Sequence, residues 1–366
     1  MKIAILGTRG IPARYGGFET LAEELSARLA GRGHAVTVYT RSRYAQPGLS
    51  QWRGARIRVL PAVPSKYLET VSHALLSSLH AVLASYDAIL VCNAINALYC
   101  LPLRTSGARV VLNVDGLERR RRKWSAAGRM AYRVAEVVST IAPDAVVSDA
   151  RVIQDYYRER YGTESVFIPY GGDLPRPSGV ATLARLGLEA GRYVLYVSRL
   201  EPENNADIVV RAFRDVPGDI PLVVVGDAPY ARDYIARVRA QADPRVLFPG
   251  AIYGEGYREL LAHAAVYIQA TEVGGTHPAL VEALGFGRIV CYHASAENEE
   301  VAGAAGLPFD VNHPAGLTRL LRDVLDDPAG YSVFQDRARA RVQERYRWDD
   351  VADRYEAVLE GKPVLP

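Results

Sequence analysis

Cysteine is scarce in this chain: three among 366 residues, Cys92, Cys100 and Cys291, with no CxxC pair. A disulfide framework is thereby excluded, a zinc site is not expected, and a reducing, intracellular compartment fits. Long apolar runs are also missing. The nearest candidate, residues 88–103, is interrupted by Asn93, Asn96 and Pro102, so no transmembrane helix is expected. Met1-Lys2 leads into only four apolar residues, Ile3 to Leu6, too short for the core of a secretory signal and suited to a buried strand. Net charge is only +3, too mild to call for nucleic acid. Neither low-complexity tracts nor short repeats occur. His34, His73, His80, His263, His293 and His313 lack metal-ligand spacing with Cys or acidic residues and read as structural or surface side chains.

What is present is ordinary for a soluble globular protein. Hydrophobic residues make up 49% and charged residues 23%, enough apolar material for two cores and unlike collagen-like, disordered or disulfide-dense chains. At about 100–200 residues per domain the length predicts two domains, at most three.

Short β-branched runs alternate with helical patterns. Residues 2–6 read as a strand, and residues 18–31 carry Phe18, Leu21, Leu25 and Leu29 at three- and four-residue spacing, an amphipathic helix closed by Gly31 and Gly33. Residues 35–39, 88–92, 109–114 and 145–147 continue the strand pattern as apolar runs suited to a sheet buried on both faces. Proline and glycine then crowd residues 168–177 in the manner of a linker. Beyond it, residues 193–197, 221–225, 246–248, 266–269 and 288–292 read as strands again. The alternation predicts an α/β chain of two doubly wound, Rossmann-like domains facing across a cleft, residues 1–170 and 171–345. In such sheets ligands bind outside the carboxyl ends of the strands, so the loops there are the place to seek function. Residues 66–83 carry apolar side chains at helical spacing and are read as a core helix, with an approach to a bilayer as the lesser alternative. The charged stretch 337–347 reads as a solvated helix face.

Two loops carry candidate chemistry. The first strand runs into Gly7-Thr8-Arg9-Gly10-Ile11-Pro12-Ala13-Arg14-Tyr15-Gly16-Gly17-Phe18-Glu19-Thr20. Its glycines let backbone amides approach a phosphate or sugar, and the helix behind offers its positive dipole end. Neither the GxGxxG nor the P-loop spacing is present. A connection serving geometry alone is the competing reading. The second is Thr271-Glu272-Val273-Gly274-Gly275-Thr276-His277-Pro278, followed by Ala279-Leu280-Val281-Glu282-Ala283-Leu284-Gly285. Pro278 suits the first turn of a helix. Exposed amides of Gly275, Thr276 and His277 would suit a diphosphate. Glu282, about one turn on, could accept hydrogen bonds from a ribose diol. A solvated position is the bland reading for Glu282, but its apolar neighbours place it on a buried helix, where a carboxylate without a partner is costly.

These motifs, with Ser198-Arg199-Leu200 between them, resemble family 4 of the retaining nucleotide-sugar glycosyltransferases, which have the GT-B fold. The string from Gly10 to Thr20, Val114-Asp115-Gly116-Leu117-Glu118, Arg199-Leu200-Glu201-Pro202-Glu203-Asn204-Asn205 and Gly274-Gly275-Thr276-His277-Pro278 are similar to a branch that includes rhamnosyltransferases of bacterial surface-polysaccharide assembly. The resemblance implies that Arg199 neutralises a donor diphosphate, with Gly275, Thr276 and His277 at the phosphates or transferred sugar and Glu282 at the ribose. It also implies that Gly16 and Gly17 close over the phosphates, that the base lies near Ile252 and Tyr253, and that a helix at about 346–366 packs back on the first domain. Asn204 and Asn205 fall beside the same donor, and Glu201 is favoured over Glu203 for contact with its sugar, a simple pair with Arg199 being the alternative. Two departures bear on the sugar. Gly274 stands where the general family has a glutamate, and Asn204 where many members have a lysine. Both recur in the rhamnosyltransferase-like branch.

Asp115 lies on the turn after residues 109–114, where it could take the acceptor hydroxyl proton or orient the acceptor, or serve only as a cap. Arg119-Arg120-Arg121-Arg122-Lys123-Trp124, the most basic stretch, follows directly and suits an anionic headgroup or lipid pyrophosphate. A solvated helix start is the competing reading.

The reading is therefore a metal-independent, cofactor-free retaining glycosyltransferase. It would move a sugar, L-rhamnose from dTDP-L-rhamnose as first choice, to a glycan or lipid-linked glycan in bacterial surface-polysaccharide synthesis. It would work in the cytoplasm with peripheral contact at the anionic inner face of the membrane and no nucleic-acid partner. Alternatives are a UDP- or GDP-sugar donor, a nucleotide-sugar epimerase, and a non-catalytic nucleotide-sugar binding protein.

Overall fold

The computed structural model describes the chain except residues 15, 66–67, 122–123 and 365–366, and except the side chain of Arg120. The sequence positions Tyr15, Lys66, Arg122 and Lys123, singled out above, lie outside the described residues. The chain divides into two compact units, Met1–Tyr170 with Trp348–Pro366, and Gly171–Arg347.

The first unit is built on β1 (Lys2–Leu6), β2 (Ala35–Arg41), β3 (Gln51–Trp52), β4 (Ala55–Leu60), β5 (Ala88–Cys92), β6 (Arg109–Asn113), β7 (Ala145–Ser148) and β8 (Val166–Phe167). They form one sheet in the order β3-β4-β2-β1-β5-β6-β7-β8, parallel except for the β3–β4 edge pair. Around it lie α1 (Gly17–Gly31), α2 (Leu68–Leu83), α3 (Cys100–Arg104), α4 (Ala126–Ser139) and α5 (Arg151–Tyr161). All five residues of β5 are buried, as a central strand covered on both faces requires.

The second unit carries β9 (Val194–Val197), β10 (Leu222–Val225), β11 (Val246–Gly250), β12 (Val266–Gln269), β13 (Ile289–His293) and β14 (Leu307–Phe309). Its sheet is parallel throughout, ordered β11-β10-β9-β12-β13-β14. Numbered within the unit this is 3-2-1-4-5-6, the dinucleotide-fold order, which reverses between β9 and β12. The helices are α6 (Ala181–Leu186), α7 (Ala206–Arg214), α8 (Arg232–Ala240), α9 (Gly254–His263), α10 (Pro278–Gly285), α11 (Ala296–Ala302), α12 (Ala315–Asp326) and α13 (Ser332–Arg345). The last helix, α14 (Trp348–Glu360), packs on α1 in the first unit. Arg28 meets Asp349 at 3.0 Å, Arg32 meets Glu356 at 2.6 Å, and the Arg28 guanidinium lies over the buried ring of Trp348.

The structure adds strands that the apolar runs do not mark. β4 alternates buried Ala55 and Ile57 with exposed Arg56 and Arg58, an edge pattern rather than a core run. β14 contains Pro308, which an edge strand tolerates. The reading of residues 66–83 as a core helix is corrected. In α2 the buried side holds Glu69, His73, Ser77 and Ser78, while the leucines face outward.

Candidate functional site

In the second unit the sheet order reverses between β9 and β12, so the loops after these two strands border the position where such folds hold ligands. The loops are laced to one another. Asn205 donates through Nδ2 to the Ala270 carbonyl at 2.8 Å and to Glu272 Oε1 at 3.0 Å, and the Glu272 amide donates to the Glu203 carbonyl at 3.1 Å. Asn204 donates through Nδ2 to the Arg199 carbonyl at 2.5 Å, holding the turn that presents Arg199. Both asparagines are buried. Their side-chain amide N–H groups serve the loop itself. Arg199 keeps a quarter of its side chain exposed, with Nη1 3.7 Å from Glu201 Oε2, too long for a hydrogen bond. Arg199 and Glu201 thus face each other as a loose ion pair.

The loop after β12 ends at α10, with His277 as its N-cap and Pro278 opening the helix. Gly274, Gly275 and Thr276 are buried and His277 is half-buried, which corrects the expectation of exposed amides there. The buried Asn298 of α11 braces the two ends of this loop. Its Nδ2 donates to the Thr271 and His293 carbonyls, both at 3.0 Å, leaving its Oδ1 to accept from His277 Nδ1 at 3.1 Å. This fixes the ring with its proton on Nδ1 and Nε2 turned towards Gly274. A Cβ at Gly274 would lie 2.5 Å from that Nε2, so the missing side chain is what seats the imidazole. Glu282, one turn into α10, is buried and accepts a hydrogen bond from the Tyr257 hydroxyl of α9. Burial and the adjacent Glu282 push the Tyr257 phenol well above its ordinary range. Nothing in the local sequence marks Tyr257, which stands 25 residues away. Tyr253 caps α9 with its ring partly exposed, beside Ile252, which packs on the apolar core.

In the first unit the order reverses between β1 and β5. The glycine-rich loop after β1 is folded back by α1. Glu19 Oε1 accepts from the Arg9 amide at 2.7 Å, and Glu23 Oε2 accepts from the Ala13 amide at 2.5 Å. Gly7 takes φ +94 and a Cβ there would lie 2.3 Å from the Cys92 carbonyl, so only glycine lets β1 run this close to β5. Gly16 and Gly17 open α1 and are half-buried.

Asp115, two residues beyond β6, adopts a left-handed φ of 53°. Its amide donates to Asn113 Oδ1 at 2.9 Å, and Asn113 Nδ2 donates to the buried Tyr355 hydroxyl of α14 at 2.6 Å. The Asp115 carboxyl hydrogen-bonds Asp149, which is fully buried just after β7. Burial foremost, and then the nearby Glu118 carboxylate, raise the Asp115 pKa, against a lowering by the bond to Asp149. A strained residue with a proton-sharing carboxyl partner is a recurrent functional arrangement. Sequence reading passes over Asp149, although it occupies the same position after β7 that Asp115 occupies after β6.

The basic run is only in part what its charge suggests. Arg119 is spent on the buried Glu136, its Nε 3.0 and 3.2 Å from the two carboxylate oxygens. Tyr156 and Tyr161 donate to the same carboxylate at 2.9 and 3.0 Å. Arg121 is buried against Glu118 at 2.5 Å. Trp124 packs on Tyr132, ring centroids 5.2 Å apart. Arg119 and Arg121 therefore hold the unit together instead of presenting charge to an acceptor or headgroup, which corrects that expectation for these two. Arg122 and Lys123, and the side chain of Arg120, lie outside the described residues.

Comparison with known proteins bears on both units. A family model described as Glycosyltransferase Family 4 matches residues 15–176, and one described as Glycosyl transferases group 1 matches residues 191–327. Over 227 residues the chain is 24% identical to a Corynebacterium glutamicum GDP-mannose-dependent monoacylated alpha-(1-6)-phosphatidylinositol monomannoside mannosyltransferase, covering 57% of this chain and 59% of that relative's length. Sucrose-phosphate synthase from Thermosynechococcus elongatus superimposes with a TM-score of 0.82 at 19% identity over 98% of both chains. Anabaena HepE in complex with UDP and glucose gives 0.79 at 18% identity over 99% of this chain and 100% of its own. At these identities the structural likeness speaks to the fold.

Proposed function

The chain carries glycosyltransferase domains in both halves, a family 4 domain over residues 15–176 and a group 1 domain over residues 191–327, on a GT-B fold, and on that premise we propose that it transfers a hexose from a nucleoside diphosphate sugar to a hydroxyl of a glycan or lipid-linked glycan, with retention of configuration. The observation that carries this reading is that Arg199 and the start of α10 lie on the two loops that border the reversal point of the second sheet, loops laced together by Asn205. The bond from the sugar's anomeric carbon to the diphosphate breaks, the acceptor oxygen bonds that carbon, and the diphosphate leaves with the electron pair. Arg199 faces the growing charge with forked, charge-assisted hydrogen bonds. Glu282 and Tyr257 take the ribose. Asp115 takes the acceptor proton, and a raised pKa makes it the better base once ionised. Glu201 orients Arg199 and the transferred sugar.

Our first donor is dTDP-L-rhamnose, supported by the resemblance of the glycine-rich and Gly274 motifs. GDP-mannose and UDP-glucose are the competitors, supported by the GDP-mannose dependence of the similar Corynebacterium glutamicum mannosyltransferase and by the UDP-glucose complex of Anabaena HepE. The reading needs no metal, and transfer is expected to persist in EDTA. The test incubates purified protein with each donor and a lipid-linked glycan, scoring nucleoside diphosphate release and the anomer formed by NMR. Release that requires acceptor, with the anomer retained, supports the proposal. An epimerised sugar without acceptor would make the protein an epimerase. Tight donor binding without release would make it a binding protein.

A further inference from the structure

We propose that the outward aliphatic face formed by α2, α4 and the segment between them is the surface on which this protein lies against an anionic phospholipid bilayer. A helix on the surface of a globular protein normally turns its apolar stripe inward. In α2 the arrangement is reversed. Its buried side carries Glu69, 3.7 Å from Arg41, with His73, Ser77 and Ser78, and His80 beside it meets the Tyr39 hydroxyl at 2.8 Å. Every fully exposed residue of α2 is aliphatic: Leu68, Val71, Leu75, Leu76, Leu79 and Leu83, between 38% and 85% exposed. Along α4, Met130, Val134 and Val137, with Ile141 just past its end, form a second stripe at spacings of three and four, 49% to 67% exposed. Residues 94–104 touch both helices and add Leu98 and Leu101, each about half exposed. Single exposed leucines are unremarkable, whereas three neighbouring elements that each expose an apolar stripe mark an interaction surface.

The charges beside this face choose its occupant. Arg129 and Arg133 are exposed on α4, Arg58 is exposed on β4 against α2, and the acids of the two helices, Glu69 and Glu136, are buried. Asp144, exposed just past α4, is paired with Arg104 at 3.2 Å. Aliphatic stripes on helices that have exposed arginine on them or on the adjoining strand, and no exposed acid of their own, suit the headgroup plane of an anionic leaflet. Among the described residues no helix is long and apolar enough to cross a membrane, so the contact is in-plane. A second copy fits less well. Two-fold pairing would gather the arginines of both chains at one interface, with no exposed acid of α2 or α4 to meet them.

The test is flotation with vesicles of phosphatidylglycerol and phosphatidylethanolamine, and separately of phosphatidylcholine. The wild type is compared with Leu75→Glu/Leu79→Glu and Arg129→Glu/Arg133→Glu, circular dichroism confirming that each is folded. The wild type is expected to float with the anionic vesicles, the leucine variant to bind at least about tenfold more weakly, and the arginine variant to lose its preference for anionic lipid. The native cysteines are buried, so a polarity-sensitive dye at Leu79→Cys or Val134→Cys reports its own site. It should shift to the blue on anionic vesicles, while the same dye at Val333→Cys in the second unit should not. No flotation, flotation indifferent to the leucines, or a dimer that the leucine variant dissociates would each overturn the proposal. Vesicle binding involves no sugar transfer, so this proposal and the transferase reading fail separately.

Discussion

In the second unit the loops around the sheet's reversal point are tied down by neutral amides. Asn204 and Asn205 clasp the Arg199 turn, and Asn298 fixes both the Thr271 carbonyl and the ring of His277. In the first unit the corresponding region stores tension instead. Asp115 holds a left-handed φ beside a buried carboxyl, and α2 turns its polar residues in and its leucines out. Both sheets share a parallel core with the same order and reversal, β4-β2-β1-β5-β6-β7 in the first and β11-β10-β9-β12-β13-β14 in the second, so the contrast does not come from the strand order. On the transferase reading it follows from the two jobs. A diphosphate leaving group presents the same charge in every turnover, and rigid, preoriented groups stabilise it without reorganising. Taking a proton from an acceptor needs a base whose affinity has been raised, and burial beside like charge achieves this at a cost in stability.

The largest effect should come from the rigid side. Arg199→Ala is expected to lower kcat/KM by about 10²-fold or more, with the circular dichroism spectrum unchanged, and Arg199→Lys to restore only part because a single ammonium cannot fork. Full activity in the alanine variant would remove Arg199 from the mechanism and with it the functional side of the contrast.

Asp115→Asn tests the strained side in two directions at once. Asparagine tolerates the left-handed backbone, so the turn should persist while the base is lost, and turnover should fall by about 10²-fold. Stability should move the other way. The folded-state pKa of Asp115 is raised, chiefly by burial. The folded chain therefore binds this proton more tightly than the unfolded chain, and stability falls as pH climbs from about 4 through the folded value. The variant cannot ionise, so it should be more stable than wild type at pH 7, with the gap closing as the pH falls to about 4. Urea unfolding at the two pH values measures this. A variant less stable at pH 7 would show that Asp115 is a structural cap.

Gly274→Ala should cost about tenfold in rate, because the added carbon meets His277 Nε2 at 2.5 Å and the imidazole must leave its seat on Asn298. If seating that ring is the glycine's role, Gly274→Ala and His277→Ala will not add. Their double-mutant cycle should show about 1 kcal/mol or more of coupling in kcat/KM. Additive losses would mean that the glycine matters for another reason.

The same contrast explains what could be read from the sequence. The central strands were legible because burial on both faces leaves continuous apolar runs, and residues 88–92 and 266–269 are strands with the bounds expected. Helix α2 was legible as a helix, but its orientation was not, since periodicity marks a stripe without saying which side faces the core. The arginine run misled because charge was counted without partners. Glu136, Tyr156 and Tyr161, which absorb Arg119, lie 17 to 42 positions further along. Motif spacing located Arg199 and Glu282 on loops and helix ends, whereas Tyr257, Asn298 and Asp149 come from other elements and become neighbours only through the topology.

The smallest effect separates binding from chemistry on the rigid side. Tyr257→Phe removes one hydrogen bond to Glu282 and leaves the carboxylate buried. A hydrogen bond to a ribose is made equally in the ground and transition states, so its disturbance should raise KM for the donor by about fivefold, the equivalent of about 1 kcal/mol, and leave kcat unchanged. Glu282→Gln should behave alike and somewhat more strongly, because the acceptor itself is weakened. If Tyr257→Phe lowers kcat instead, Glu282 is aligned for the reaction and not for holding the nucleotide, and the second unit then contains a tuned chemical group as the first does. The contrast between a rigid grip and a strained base would then give way to tuned groups in both units.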